Sequence, residues 1–284
     1  MSFIRNAAPI LILVLLITVT AVSQQKTAKT LLEEGKELAR QEKFEEALDV
    51  LRESVDLDDK NPATYGLMAS VQLELRLNLE AVDSFRKAID LNPNDAILHS
   101  GLCHALAAAG KVLEGLEECR RSRKIDPDSL VAATDTVFVL RMISTPPPDL
   151  YQIVDDVLGR FPENVYVLAA AAEILEVRDP ERSIELYLKL SELQPREPVW
   201  YARLAQLYID RERDKEAIEA ANRALSLDPK NARAHFFVGR VYFELGLNAD
   251  AAESFRLSLD TEPGNKECLW YLALSEERRG RLDE

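Results

Sequence analysis

The residues able to do chemistry are few, and their spacing does not assemble a known reactive constellation. The 284-residue chain has three histidines, His99, His104 and His235. His99 and His104 stand five apart, off a common helical face, whereas a helical zinc pair stands four apart. We read both as solvated or core imidazoles, and His235 as a packing residue. Cys103, Cys119 and Cys268 have no C-x-x-C neighbour, so thiol redox catalysis has no support. Cys103 and Cys119 occupy core-facing places on two adjacent helical stretches. We read them as buried free thiols, because residues on facing helices rarely meet the Cα separation that a disulfide needs. A bridge formed in an oxidising compartment is the alternative. The chain has no GxxxxGK[ST], G-x-S-x-G or H-E-x-x-H motif. No catalytic, metal-ligating or cofactor-binding residue is therefore nominated, and no enzyme is expected.

The charged residues point the same way. Glu45, Glu46, Glu80, Glu181 and Glu216 fall in the first turns of helical stretches, where a carboxylate meets the positive end of the helix dipole. Arg120, Arg121, Arg123 and Lys124 form a cationic cluster at a helix end, with Glu117 and Glu118 beside it. That is the composition of a solvated face. The formal net charge is -14. Such a surface repels nucleic acid phosphates and anionic lipid, which excludes nucleic acid as a partner class.

These residues must be positioned by helices, since strand-like alternation is scarce and the apolar period is helical almost throughout. The stretch Asn61 to Asp95 shows the unit. One apolar-periodic run spans Tyr65 to Leu77 and a second spans Ala81 to Leu91, with a short polar link between them. Asn61 caps the first run, Pro62 sits in its first turn, and Pro93 stops the second. Tyr65, Met68-Ala69, Gln72, Ala81, Phe85, Ala88 and Pro93 together resemble the tetratricopeptide repeat pattern, with its period of about 34 residues; Gln72 departs from it. The pattern recurs over about 28–61, 62–95, 96–129, 130–163, 164–197, 198–231 and 232–265, with a half repeat at 266–284. Pro195, Pro229 and Pro263 are each 34 apart. The fourth unit is irregular, and Pro146 to Pro148 should force a long connection near 144–149. The resemblance implies an all-α fold, an α/α superhelix of about seven hairpins plus one terminal helix, fifteen helices in all. The half repeat is expected either to cap the last hairpin, burying Trp270, or to continue in a longer protein.

Residues 1–23 belong to another class. Arg5 precedes an apolar run from Ala7 to Val22, shorter than the roughly 20 residues of a membrane span. Ala21-Val22-Ser23 suits signal-peptide cleavage before Gln24. An uncleaved anchor formed by residues 7–22 is the alternative. Either places 24–284 outside the cytoplasm, as a periplasmic, secreted or anchored solenoid.

The resemblance implies a non-catalytic scaffold that binds a protein or peptide in a concave groove lined by the first helix of each unit. Carried onto this chain, that lining includes Ser70, Leu73, Ile97, Ser100, His104, Val139, Ile143, Leu168 and Leu175. Arg233, Phe236 and Arg240 share one face of the seventh unit's first helix, an aromatic flanked by two arginines. Self-association through the apolar lining is a further expectation, and membrane contact only through an uncleaved amino terminus. The other reading is a regulatory or substrate-handling module of a larger envelope protein or enzyme complex.

Overall fold

The computed structural model describes residues 26–280. Fifteen helices and no strand occur among them. The first three hairpins pair α1 (Ala28–Arg40) with α2 (Phe44–Leu57), α3 (Pro62–Glu74) with α4 (Asn78–Leu91), and α5 (Ala96–Ala108) with α6 (Val112–Ile125). Next come α7 (Leu130–Met142) and α8 (Leu150–Arg160), then α9 (Val165–Leu175) with α10 (Pro180–Leu193). The series ends with α11 (Pro198–Ile209) and α12 (Asp214–Leu227), α13 (Ala232–Glu244) and α14 (Asn248–Thr261), and the terminal α15 (Lys266–Arg278). The chain divides into two compact units at Val139/Leu140. The longest connection between helices is 143–149, where consecutive prolines cannot donate helical hydrogen bonds.

The two ends of a hairpin are built differently. Most first helices begin on a side-chain cap: Thr27, Asn61, Asp95, Asn164, Asn231 and Asn265 each accept a hydrogen bond from a backbone N–H of the first turn. Most second helices have none and follow a tight turn that satisfies a carbonyl at the end of the preceding helix. The N–H groups of Lys43, Leu77, Lys111, Arg213 and Leu247 each donate to the carbonyl five residues back. That bond needs a left-handed residue just before it. The residue is Gly110 or Gly246 in two units, and Glu42, Arg76 or Glu212 in three others.

Within a hairpin the helices come close at one repeated pair. A Cβ added at Gly35 would lie 2.8 Å from the Leu51 side chain, and one at Gly239 2.7 Å from the Phe255 ring. The same pair in the third hairpin is Cys103 and Cys119, and there the two sulfurs are bonded, with the Cα atoms 5.3 Å apart. This corrects the reading of free thiols. Facing helices are ordinarily too far apart for a bridge, but these residues sit at a place where the two helices of a hairpin come close. Cys268 is a buried free thiol that donates to the Phe255 carbonyl at 3.4 Å.

Buried hydroxyls also tie helices together. Ser54 Oγ donates to the Ala28 carbonyl at 2.8 Å and Ser122 Oγ to that of Ala96 at 2.6 Å, each reaching the start of its own unit's first helix. The apolar core runs between helices: Leu51, Ala69, Val82, Phe85 and Leu106 in the first unit, Leu168, Tyr187, Leu190, Ala205 and Val238 in the second.

Candidate functional site

Each compact unit carries an open cavity whose lining the sequence partly anticipates. In the first, α3, α5 and α7 lay parallel stripes beside one another. Gly66, Ser70, Leu73 and Glu74 come from α3, Ile97, Gly101, His104 and Ala108 from α5, and Val131 and Asp135 from α7. They line a groove of about 660 Å³. Its floor is flush because two glycines lack side chains. A Cβ on Gly101 would lie 2.4 Å from the Phe85 ring, and one on Gly66 2.8 Å from Leu98. Its walls are apolar and wet, with Ile97 70% exposed and Val131 55% exposed.

One end of the groove is polar. Ser100 Oγ donates to Asp135 Oδ2 at 2.5 Å, and His104 Nδ1 lies 3.5 Å from Asp135 Oδ1. The His104 ring stacks on Phe138, with centroids 5.0 Å apart. The hydrogen bond to Asp135 raises the His104 pKa above the ordinary histidine range, against the opposing effect of burial, with the charges of Asp135 and Glu74 adding to it. His99 is buried on the other side of α5, held between the Glu118 carboxylate at 2.7 Å and the Pro93 carbonyl at 3.0 Å. It is a core residue. His235 sits likewise against the Pro229 carbonyl at 2.7 Å.

In the second unit a cavity of about 390 Å³ is lined by Arg203, Arg233, Phe236, Phe237, Arg240, Glu262, Asn265 and Glu267. The arginines are placed by aromatic faces. The Arg203 guanidinium lies 4.7 Å from the Phe237 centroid and that of Arg240 5.1 Å from Tyr271. Arg203 is also held at 3.4 Å by Glu176, which accepts the Tyr187 hydroxyl at 2.6 Å. Burial, and then the charge of Glu176, push the Tyr187 phenol far above its usual pKa. Arg233 is exposed, and Arg240 Nε is a buried donor with no acceptor among the described residues. Phe236 is largely buried, packed against Phe237, Phe255 and Tyr271, and shows the cavity one edge.

Ile97 and His104 thus stand together in the first groove, and Arg233, Phe236 and Arg240 in the second cavity. Ser70 and Leu73 line the first groove as well, whereas the other nominated residues line neither cavity. Val139, Ile143, Leu168 and Leu175 are buried, as is Ser100. An apolar stripe on a first helix serves both a neighbouring helix and the open face, and these four fall on the covered side. Sequence reasoning missed Arg203, Val131 and Asp135. Val131 stands one repeat after Ile97, so the period pointed to it; Arg203 lies one repeat before Phe237 and Asp135 one residue after the place equivalent to Ser100, and for these two the period gave no reason to single them out. Residues 1–25, which hold the expected signal or anchor, lie outside the described residues. Among those described, no helix is long and apolar enough to cross a membrane.

Comparison with known proteins gives a consistent picture. A tetratricopeptide repeat model matches residues 32–96, 168–232, 202–266 and 239–284. The chain is 27% identical over 251 residues to cellulose synthase operon protein C of Pseudomonas fluorescens (strain SBW25), covering 81% of this chain and 19% of that protein. It is 28% identical over 110 residues to small glutamine-rich tetratricopeptide repeat-containing protein 2 of Mycosarcoma maydis, covering 39% and 31%. The chain therefore spans less than a third of the length of either curated relative. Among solved structures, a tetratricopeptide repeat protein from Parabacteroides merdae ATCC 43184 superposes with a TM-score of 0.62 at 17% identity, covering 87% of this chain and 98% of that one. The C-terminal part of a TPR repeat-containing protein from Cytophaga hutchinsonii gives 0.66 at 14% identity, covering 85% and 99%. These two likenesses are of fold.

Proposed function

This chain belongs to the tetratricopeptide repeat family, and we propose that it is a non-catalytic scaffold that binds protein or peptide, its second unit gripping an acidic partner segment through Arg203, Arg233 and Arg240. The observation that carries this is the convergence of three arginines on one aromatic-backed cavity in a chain of net charge -14. Arginine donates in a planar fork that fits carboxylates, and aromatic and arginine side chains dominate binding energy at protein contacts. Glu262 and Glu267 on the rim hold the guest's carboxylates to the arginine side.

Fluorescein-labelled peptides with a central Asp-Glu pair, titrated against the full chain, test the proposal. Arg233→Ala and Arg240→Ala should each weaken binding by at least about 1 kcal/mol, roughly fivefold, and Arg233→Ala, at an exposed position, should do so without moving the thermal melt. Affinity unchanged in both variants would assign the arginines to packing. A second reading, a module within a larger envelope protein or enzyme complex, is favoured by the 19% and 31% coverage of the curated relatives. The scaffold role is common to both. An extracytoplasmic address is part of the proposal, supported by the apolar run before Gln24 and by a bridge of the kind that persists in oxidising compartments.

A further inference from the structure

We propose that the groove of the first unit takes a second kind of guest: a partner-protein segment with apolar side chains and one lysine or arginine, whose cation sits at Glu74 and Asp135. The inference rests on the scaffold reading and adds a site of opposite charge to the arginine cavity. The walls supply the apolar contact. Ile97 and Val131 face solvent in a concave setting with Leu67 and Leu73 beside them, and covering such area removes it from water. The flush floor over Phe85 and Leu98 leaves room for side chains to lie flat.

The polar end sets the sign. The groove's acidic lining residues are Glu74 and Asp135, and no lysine or arginine lines it. Asp135 is held in place by Ser100 and His104, with its side chain partly open to solvent. Glu74 ends α3, is exposed, and has no ion-pair partner among the described residues. It is near enough for its charge to act on His104. Two carboxylates at one end of an apolar trough select a cation and repel an acidic guest. A second copy of this chain, itself strongly acidic, is disfavoured for the same reason.

Labelled dodecapeptides sharing one apolar frame, with a single central Lys, Gln or Glu, test this against the full chain by fluorescence anisotropy. The Lys peptide should bind at least fivefold tighter than the Gln peptide, and the Glu peptide weakest. Glu74→Gln should collapse the difference. Ile97→Asp and Val131→Asp, both at exposed positions, should abolish binding of all three peptides while leaving the helical melt in place. Equal binding of the three, or a preference for Glu, overturns the inference and leaves the scaffold reading standing. If neither these nor the Asp-Glu peptides bind, both readings fall. A concentration-dependent dimer in sedimentation, lost in Ile97→Asp, gives the groove to a second copy and overturns the inference.

Discussion

Glu42, Arg76 and Glu212 take the left-handed conformation that Gly110, Gly246 and Gly280 take in other units. For an L-residue that backbone costs roughly 1–2 kcal/mol, and glycine escapes it at some cost in unfolded-chain entropy. Replacement at the two kinds of site should therefore have opposite signs. Arg76→Gly should stabilise its hairpin by about 0.5 kcal/mol, and Gly110→Ala should destabilise its own by about 1 kcal/mol. Open space surrounds Gly110, so the effect would be of backbone and not of crowding. Urea melts of the two variants check this, and shifts of the same sign would refute it. The sites themselves are legible, because 42, 76, 110, 212, 246 and 280 differ by multiples of the 34-residue period. The backbone strain is not legible where no glycine marks it. The bridge was not read from the sequence, although its place follows the same period: Cys103 and Cys119 stand two repeats after Gly35 and Leu51, a pair that the structure brings into close approach.

At the scale of the helix, α15 shows what a period leaves open. Its helical span, its cap at Asn265 and its packing on α14 follow the pattern. Which of two adjacent aromatics faces inward does not. Trp270, expected in the core, is 58% exposed, while Tyr271 turns in to meet Phe236, Phe243 and Phe255 at centroid distances of 6.2, 5.5 and 5.6 Å. Successive residues of a helix lie about 100° apart, so a small rotation on docking exchanges their roles. Truncation should separate them: Tyr271→Ala should cost about 3 kcal/mol as the loss of a large packed ring, and Trp270→Ala about 0.5 kcal/mol or less. Amide exchange of residues 266–278 reads both. Equal protection in the two variants would mean that the aromatic cluster does not hold α15. The same ambiguity explains the lining residues. Leu168 and Ile97 are both apolar on first helices, yet one is 1% and the other 70% exposed, because the neighbouring helix covers only part of the stripe.

Over the whole molecule, the fold was readable because each unit repeats the same local decisions and needs only its neighbours. The function was readable only as a class, because a solenoid states where a guest lies and not which guest. Charge narrows that choice, with carboxylates at the end of one cavity and arginines in the other. The address can be settled directly. If the leader is cleaved, the protein recovered from its host should begin at Gln24, and if it is an anchor, at Met1 in the membrane fraction; sequencing of the amino terminus decides between them, and an intact Met1 in a soluble cytosolic fraction would rule export out. The Cys103–Cys119 bond also bears on how the chain responds to force. Solenoids pulled from their ends come apart hairpin by hairpin, each releasing its full contour. The bridge closes a sequence separation of 16 across α5 and α6, so the third hairpin cannot pay out that loop. It withholds roughly 50 Å, at about 3.3–3.6 Å per residue, and so makes one link of an otherwise extensible spring a fixed knot until a reductant opens it.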